Sequence, residues 1–94
     1  MDVRAKLSEI GLTLPVAAKP VAAYVPAIRT GNIVFTAGQL PLVDGKIPAT
    51  GKVGGLVSID DARELAKVCA LNCLAAVETV ADVNKIVKIV RVVG

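Results

Sequence analysis

Few side chains of this sequence could do chemistry, and none of its 94 residues is histidine. Without histidine the chain itself cannot form Ser-His-Asp or Cys-His catalytic sites or histidine-ligated metal sites. Cys69 and Cys73 stand four residues apart on a predicted helix and so share one face. Cysteines on adjacent turns do not suit disulfide geometry, and two ligands do not make a zinc site. We interpret both cysteines as packing residues.

One glycine-rich stretch has some features of a phosphate-binding loop. Gly45 and Gly51-Lys52 are separated by five residues where that motif needs four, and Val53 stands where it needs serine or threonine. No helix is predicted to begin at Lys52, so backbone donors would not converge on a phosphate there. We interpret residues 45–55 as a surface loop.

The composition raises the question of what covers the apolar surface. Hydrophobic residues make up 54% of the chain, with one Phe, one Tyr and no Trp. A single domain of this size is marginal as a monomer. A membrane, a further stretch of chain or identical subunits could provide the cover.

Charged residues interrupt every apolar stretch before the roughly 20 residues that a membrane span needs. The N-terminus lacks the pattern of a signal peptide, so a cytoplasmic location is predicted. The net charge of +3 is dispersed along the chain and is weak support for nucleic-acid binding.

Residues 31–41 are the stretch around which the predicted elements are arranged. The run Ile33-Val34-Phe35 predicts a mostly buried strand. Gly31-Asn32 before it predicts a hairpin turn. Gly38, at the end of the strand, is typical of a bulge or of a place where another group approaches the backbone closely.

The remaining elements follow in a ββαβ order. An N-terminal helix capped by Asp2 and stopped by Gly11, with its connector, occupies residues 1–19 of a single domain, 1–94. The predicted elements after it are a first strand (21–29), the hairpin, an Asp44-Gly45 turn (41–46), a loop to residue 55, a Ser58-capped helix to about residue 80, a turn (82–84) and a last strand (85–93).

The long helix is predicted to be apolar on two faces. The face expected to pack on the sheet comprises Ala62, Leu65, Ala66, Cys69, Cys73, Val77 and Val80. Val68, Leu71 and Ala75 lie opposite and are expected to meet another subunit or a further segment. The β-branched residues of the last strand favour a central position in a sheet. A central strand at the end of the sequence leads us to expect that the chain is part of a larger domain.

These residues resemble the Rid family, also called the YjgF or endoribonuclease L-PSP, chorismate-mutase-like family. The resemblance rests on Tyr24, the run Gly-Asn-Ile-Val-Phe-Thr-Ala-Gly-Gln-Leu-Pro at 31–41, the helix, and Lys-Ile-Val-Lys at 85–88. It covers about residues 20–94, and the N-terminal helix is similar to that of the longer subgroup.

The resemblance implies an α+β fold, in which this chain supplies the ββαβ portion of a mixed sheet backed by helices. It implies a homotrimer with small-molecule pockets between subunits. The implied activity is the hydrolysis of reactive enamines and imines, such as 2-aminoacrylate, to 2-keto acids without a cofactor or metal. Some family members are instead described as ribonucleases that inhibit translation.

The same resemblance assigns the site residues. Tyr24 matches a pocket-lining tyrosine, although it also fits a strand aromatic with its hydroxyl at the surface. Ala37-Gly38-Gln39 matches a Ser-Gly-Gln segment whose glycine backbone faces the pocket, with alanine in place of the serine. The family arginine that pairs with the substrate carboxylate would lie beyond Gly94. Arg29 and Arg91 do not occupy its place, and we interpret them as solvated or interface charges.

Three functions therefore remain open from the sequence. The first is enamine or imine hydrolysis on a trimer. The second is binding of small molecules such as 2-keto acids without catalysis, which Ala37 favours. The third is RNA binding or cleavage, for which Lys85, Lys88 and Arg91 supply charge but only two aromatics supply stacking surface.

Overall fold

The computed structural model describes residues 2–17 and 23–94. Their helices and antiparallel hairpin give an α+β architecture. The elements are α1 (Val3–Glu9), β1 (Ala27–Thr30), β2 (Ile33–Thr36), α2 (Ile59–Glu78) and a 3-10 helix (Val83–Lys85). None of the helices in these ranges is both long enough and apolar enough to cross a membrane.

The predicted hairpin at Gly31-Asn32 is confirmed. β1 and β2 pair antiparallel with Thr30 opposite Ile33, so the turn has two residues, and Gly31 has a φ of +55°. The strand predicted over residues 21–29 is shorter in the structure, where it begins only at Ala27. Pro26 before it has no N–H to offer a ladder, although its carbonyl still accepts a bond from the Ala37 N–H at 2.9 Å. Residues 21 and 22 of the predicted strand lie outside the described ranges.

The prediction that residues 33–35 are mostly buried is wrong. Alternating side chains put Ala27 and Val34 on one face of the hairpin, where Ala27 is buried and Val34 half-buried. Ile28, Ile33 and Phe35 lie on the other face and are 59%, 47% and 60% exposed. We call these three residues the open sheet face, because no described element packs over them.

The Asp44-Gly45 turn is also confirmed. Both residues have positive φ, +51° and +78°, as a two-residue hairpin turn with primed geometry requires. Val43 and Lys46 exchange backbone hydrogen bonds of 2.8 and 3.0 Å across it.

The start of the long helix follows its sequence signal. Ser58 Oγ accepts a bond from the Asp61 N–H at 3.1 Å, and Asp60 and Asp61 lie in the first turn, where the helix dipole favours acids. The helix ends at Glu78, close to the predicted residue 80.

The predicted orientation of α2 is partly wrong. Six of the seven residues of the predicted sheet-facing stripe are half-buried, but Ala66 is exposed, and the fully buried residues are Asn72, Ala75 and Ala76. Ala75, expected on the opposite face, packs in the core with Leu14 and Val83. Both faces of the helix are apolar, so periodicity alone could not choose between them.

The N-terminal helix is docked onto this core. The side chain of Asp2 caps it by accepting from the Ala5 N–H, as predicted, and Val3 and Leu7 pack against the core. The Val3 N–H donates to Asn84 Oδ1 at 2.8 Å. Ile10, which follows the end of α1, is 70% exposed.

The last predicted strand is not formed within the described residues. The turn at 82–84 is present as part of the 3-10 helix, but residues 86–94 pair with neither β1 nor β2. Val87 and Val92 are 99% and 84% exposed. A β-strand forms only where its backbone pairs with another strand. A high content of β-branched residues favours the strand conformation but does not supply a partner.

Two valines in different surroundings test this core. Val83→Ala removes two methyl groups from a fully buried side chain and should lower the free energy of unfolding of residues 1–94 by about 2 kcal/mol. Val87→Ala makes the same change at an exposed position and should alter it by less than about 0.5 kcal/mol. Urea titration followed by circular dichroism measures both, and equal losses would contradict the described core.

Candidate functional site

Three of the residues assigned by resemblance, Ala37, Gly38 and Gln39, lie on the chain that leaves β2, which we call the 37–42 segment. Its first residue, Ala37, is tied to Pro26 by the 2.9 Å backbone bond. Gly38 is exposed, and Gln39 is half-buried. The Gln39 Nε2 donates to the Ala37 carbonyl at 3.3 Å, so this side chain folds back across Gly38.

Gly38 presents an open stretch of backbone. A Cβ added to it would meet no atom within 4 Å apart from those of its chain neighbours Ala37 and Gln39, and its φ lies outside the left-handed region. Neither backbone strain nor crowding by the described residues therefore requires glycine here. The other reason that the sequence suggests for a glycine at position 38 is close approach to its backbone by a group from outside the described chain, and this stays a prediction.

Asn72 is the site residue that sequence reasoning missed. It lies in the middle of α2 and is only 3% exposed. Its Nδ2 donates to the carbonyls of Leu40 at 3.0 Å and Leu42 at 3.1 Å. The signal in the sequence is an amide within an otherwise apolar helical run, since a buried polar side chain must find partners.

Tyr24 lies in a bend three residues before β1 and is 40% exposed. The bond between Pro26 and Ala37 brings the start of β1 beside the start of the 37–42 segment. Tyr24 is two residues before Pro26, so this bond also holds the chain at Tyr24 near the 37–42 segment.

The two candidate arginines lie elsewhere. Arg29 Nε donates to the Gly31 carbonyl at 3.0 Å, at the turn end of the hairpin, away from Ala37. Arg91 is exposed among residues 86–94. The rejected phosphate loop is indeed a loop, because Lys52 accepts bonds from Gly55 and Val57 and the helix begins only at Ile59.

The cysteines of α2 are free thiols, each half-buried. Burial raises the pKa of the Cys69 thiol, and the neighbouring Cys73 raises it further. No cluster of three or more His, Cys, Asp or Glu side chains that could hold a metal occurs within residues 2–17 and 23–94.

A groove of about 270 Å³ lies between α1, the connector and α2, lined by residues that include Leu14, Val16 and Thr79. Its charges are already paired. Arg4 donates to both carboxylate oxygens of Glu78 at 2.8 Å, and this pairing raises the pKa of Arg4. The groove therefore offers a ligand little uncompensated charge.

Comparison with known proteins identifies the family. Residues 15–92 match the family described as Endoribonuclease L-PSP. The chain belongs to the Endoribonuclease L-PSP family. Its α+β architecture corresponds to part of the chorismate-mutase-like fold of that family.

Individual relatives of this L-PSP chain agree with the assignment. It is 29% identical over 90 residues to Protein TCP17 of Trypanosoma cruzi, which covers 95% of this chain and 56% of that protein. It is 45% identical to protein Atu1372 of Agrobacterium tumefaciens, whose solved structure is described as of unknown function. That match has a TM-score of 0.70 and covers 81% of this chain and 45% of the other.

A third relative shows the fold alone. A protein of Shewanella oneidensis MR-1, provisionally described as an endoribonuclease, matches with a TM-score of 0.77 and 24% identity. The match covers 86% of this chain and 54% of the other. The chain thus spans about half the length of these relatives.

The raised pKa of Cys69 predicts its reactivity toward iodoacetamide. In a Cys73→Ser variant, burial still holds the pKa up, so the alkylation rate should rise with pH at a higher midpoint than in the same variant unfolded in urea. The midpoint reports thiolate formation, whereas the plateau rate reports access. A folded midpoint at or below the unfolded one would contradict the described burial.

Proposed function

We propose that the 37–42 segment forms one wall of a small-molecule pocket in which reactive enamines and imines are hydrolysed. Family membership supports this proposal, and the observation that carries it is the exposed, uncrowded backbone of Gly38. The substrate class is that of 2-aminoacrylate, whose product is a 2-keto acid.

The reaction asks little of the protein. The enamine takes a proton on carbon to become an imine, water adds to the C=N carbon, and the carbinolamine releases ammonia to leave the ketone. One water is consumed and no electrons are transferred, so no redox cofactor is needed. A site that orients the substrate carboxylate and water, and supplies a polar donor, is sufficient for such an electrophilic carbon.

The residues of the chain take the following roles in this proposal. The Gly38 N–H donates to the substrate carboxylate, because a backbone without a side chain admits the closest approach. Gln39, whose amide lies across Gly38, supplies a polar group. Tyr24 lines the pocket from the bend that precedes β1.

The pocket is completed by other protein surface in this proposal. The open sheet face is apolar, which suits burial against further copies of the chain in a homotrimer. The cationic partner of the carboxylate, an arginine in the family pattern, would come from outside the described residues. A cytoplasmic location stays a prediction.

Ala37 favours a second function, which is binding without catalysis. It stands where the family pattern has a serine, so this position has no hydroxyl to donate to a developing charge. A pocket that retains the Gly38 backbone but lacks that donor would hold a 2-keto acid without turning an imine over.

The family description also names RNA cleavage. Lys85, Lys88 and Arg91 are exposed and could contact phosphates, but Phe35 and Tyr24 are the only aromatics in the sequence. RNA retention that weakens steeply as salt is raised, together with no affinity for 2-keto acids, would favour this function over the proposed one.

Gly38→Ala tests the backbone site. An added methyl meets no described atom, so the fold should be retained, while the methyl should obstruct a ligand and weaken pyruvate binding about tenfold or more. Calorimetry on the natural-length protein measures the affinity. Gly94→Ala also meets no described atom and should leave it unchanged. Equal affinity in wild type and Gly38→Ala would contradict the proposed role of Gly38.

Ala37→Ser separates catalysis from binding. If the protein binds without catalysis, wild type binds pyruvate but does not accelerate keto-acid release from freshly generated 2-aminoacrylate, and restoring the hydroxyl should raise the rate by about 10². If the protein is a hydrolase, wild type already accelerates release. Neither binding nor release by wild type would contradict both functions.

A further inference from the structure

The 37–42 segment is anchored at its two ends by different kinds of bond. At its start the Ala37 N–H continues the hairpin by donating to Pro26. Beyond Ala37 no backbone-to-backbone bond among the described residues is made until the turn at Val43. Pro41 has no N–H to contribute. At the far end, the bonds that hold the segment come from the Asn72 side chain.

The position and chemistry of Asn72 suit these two bonds. It is the buried polar residue of the described chain, and its Nδ2 reaches both the Leu40 and the Leu42 carbonyl. A primary amide has two N–H groups, so one nitrogen can satisfy two carbonyls. Because α2 is a long helix fixed in the core through Ala75, the amide is held on a rigid support.

Packing contributes little at Gly38 itself, which is exposed and has no side chain to pack. Leu40 is 44% exposed, whereas the other residues of the segment are half-buried. The position of the Gly38 backbone is therefore set by the Pro26 bond on one side and the Asn72 bonds on the other. Loss of either would let this short stretch sample other conformations.

We propose that Asn72 is a positioning residue, which holds the backbone of Gly38 and Gln39 in the geometry that binds the substrate carboxylate. Asn72 does not itself touch the ligand. It acts by fixing the carbonyls of Leu40 and Leu42, which come one and three residues after Gln39. This inference deepens the proposed function and rests on it.

Two variants remove the bonds. Asn72→Leu replaces the amide by an apolar side chain of similar size, which suits its buried position but donates nothing. Asn72→Asp keeps the shape and replaces the donor nitrogen with oxygen. Ala75→Gly is the matched control, because it weakens the same helix one turn further on at a residue that is 1% exposed, without changing a bond to the segment.

The first measurement needs no ligand. Limited proteolysis of the natural-length protein by thermolysin, which cleaves before apolar residues, should be faster before Leu40 and Leu42 in both Asn72 variants, relative to cleavage before Ile33 and Phe35 in β2. Ala75→Gly should speed cleavage in α2 and leave this ratio unchanged. The same ratio in the Asn72 variants as in wild type overturns the proposal.

The second measurement is the affinity for pyruvate. Asn72→Leu and Asn72→Asp should bind it about tenfold more weakly, while Ala75→Gly binds as wild type. A loosened segment with unchanged affinity also overturns the proposal. If wild type binds no pyruvate, the proposed function fails, and the cleavage ratio by itself decides whether Asn72 holds the segment. A variant that does not fold is recognised by fast cleavage throughout the chain, and the other variant then decides.

Discussion

Two interactions of α2 determine where the other elements lie. Ala75 packs directly against Leu14 and Val83, and its small side chain lets the connector and the 3-10 helix approach the helix closely. One turn earlier, Asn72 reaches to the chain that leaves β2. The same helix thus fixes the N-terminal part of the chain by apolar packing and the candidate site by hydrogen bonds.

The apolar content of the chain exceeds what this small core can bury. The core comprises a few residues around Val83, whereas the open sheet face and several residues of 86–93 remain exposed. Exposed apolar surface of this kind is the usual mark of an interaction surface. This surface is the reason for the proposal that further protein completes the pocket. The chain also spans only about half the length of its relatives.

The candidate site is built from backbone more than from side chains. Histidine is absent from the sequence, Arg29 bonds to the Gly31 carbonyl at the hairpin turn, and Arg4 is paired with Glu78. A glycine N–H is a suitable donor to a carboxylate because glycine has no side chain of its own to obstruct the ligand. A backbone site depends on how the segment is held, which gives a buried amide such as Asn72 its importance.

Local signals in the sequence were sufficient for the parts that depend on neighbouring residues. The Ser58 cap, the Gly31-Asn32 and Asp44-Gly45 turns and the Asp2 cap all form as predicted, because each is decided by bonds within a few residues. The motif at 31–41 likewise indicated the family that the comparisons confirm.

Only the tertiary structure decided which face of α2 is buried and whether residues 85–93 pair as a strand. Both faces of α2 carry apolar residues, so the choice fell to the partners Leu14 and Val83, which are distant in sequence. The β-branched run shows a preference for strand but has no partner among the described residues. The sequence by itself determined the caps and the turns. The fold decided that Asn72 would hold the chain beside it, since that bond joins residues 30 and 32 positions apart.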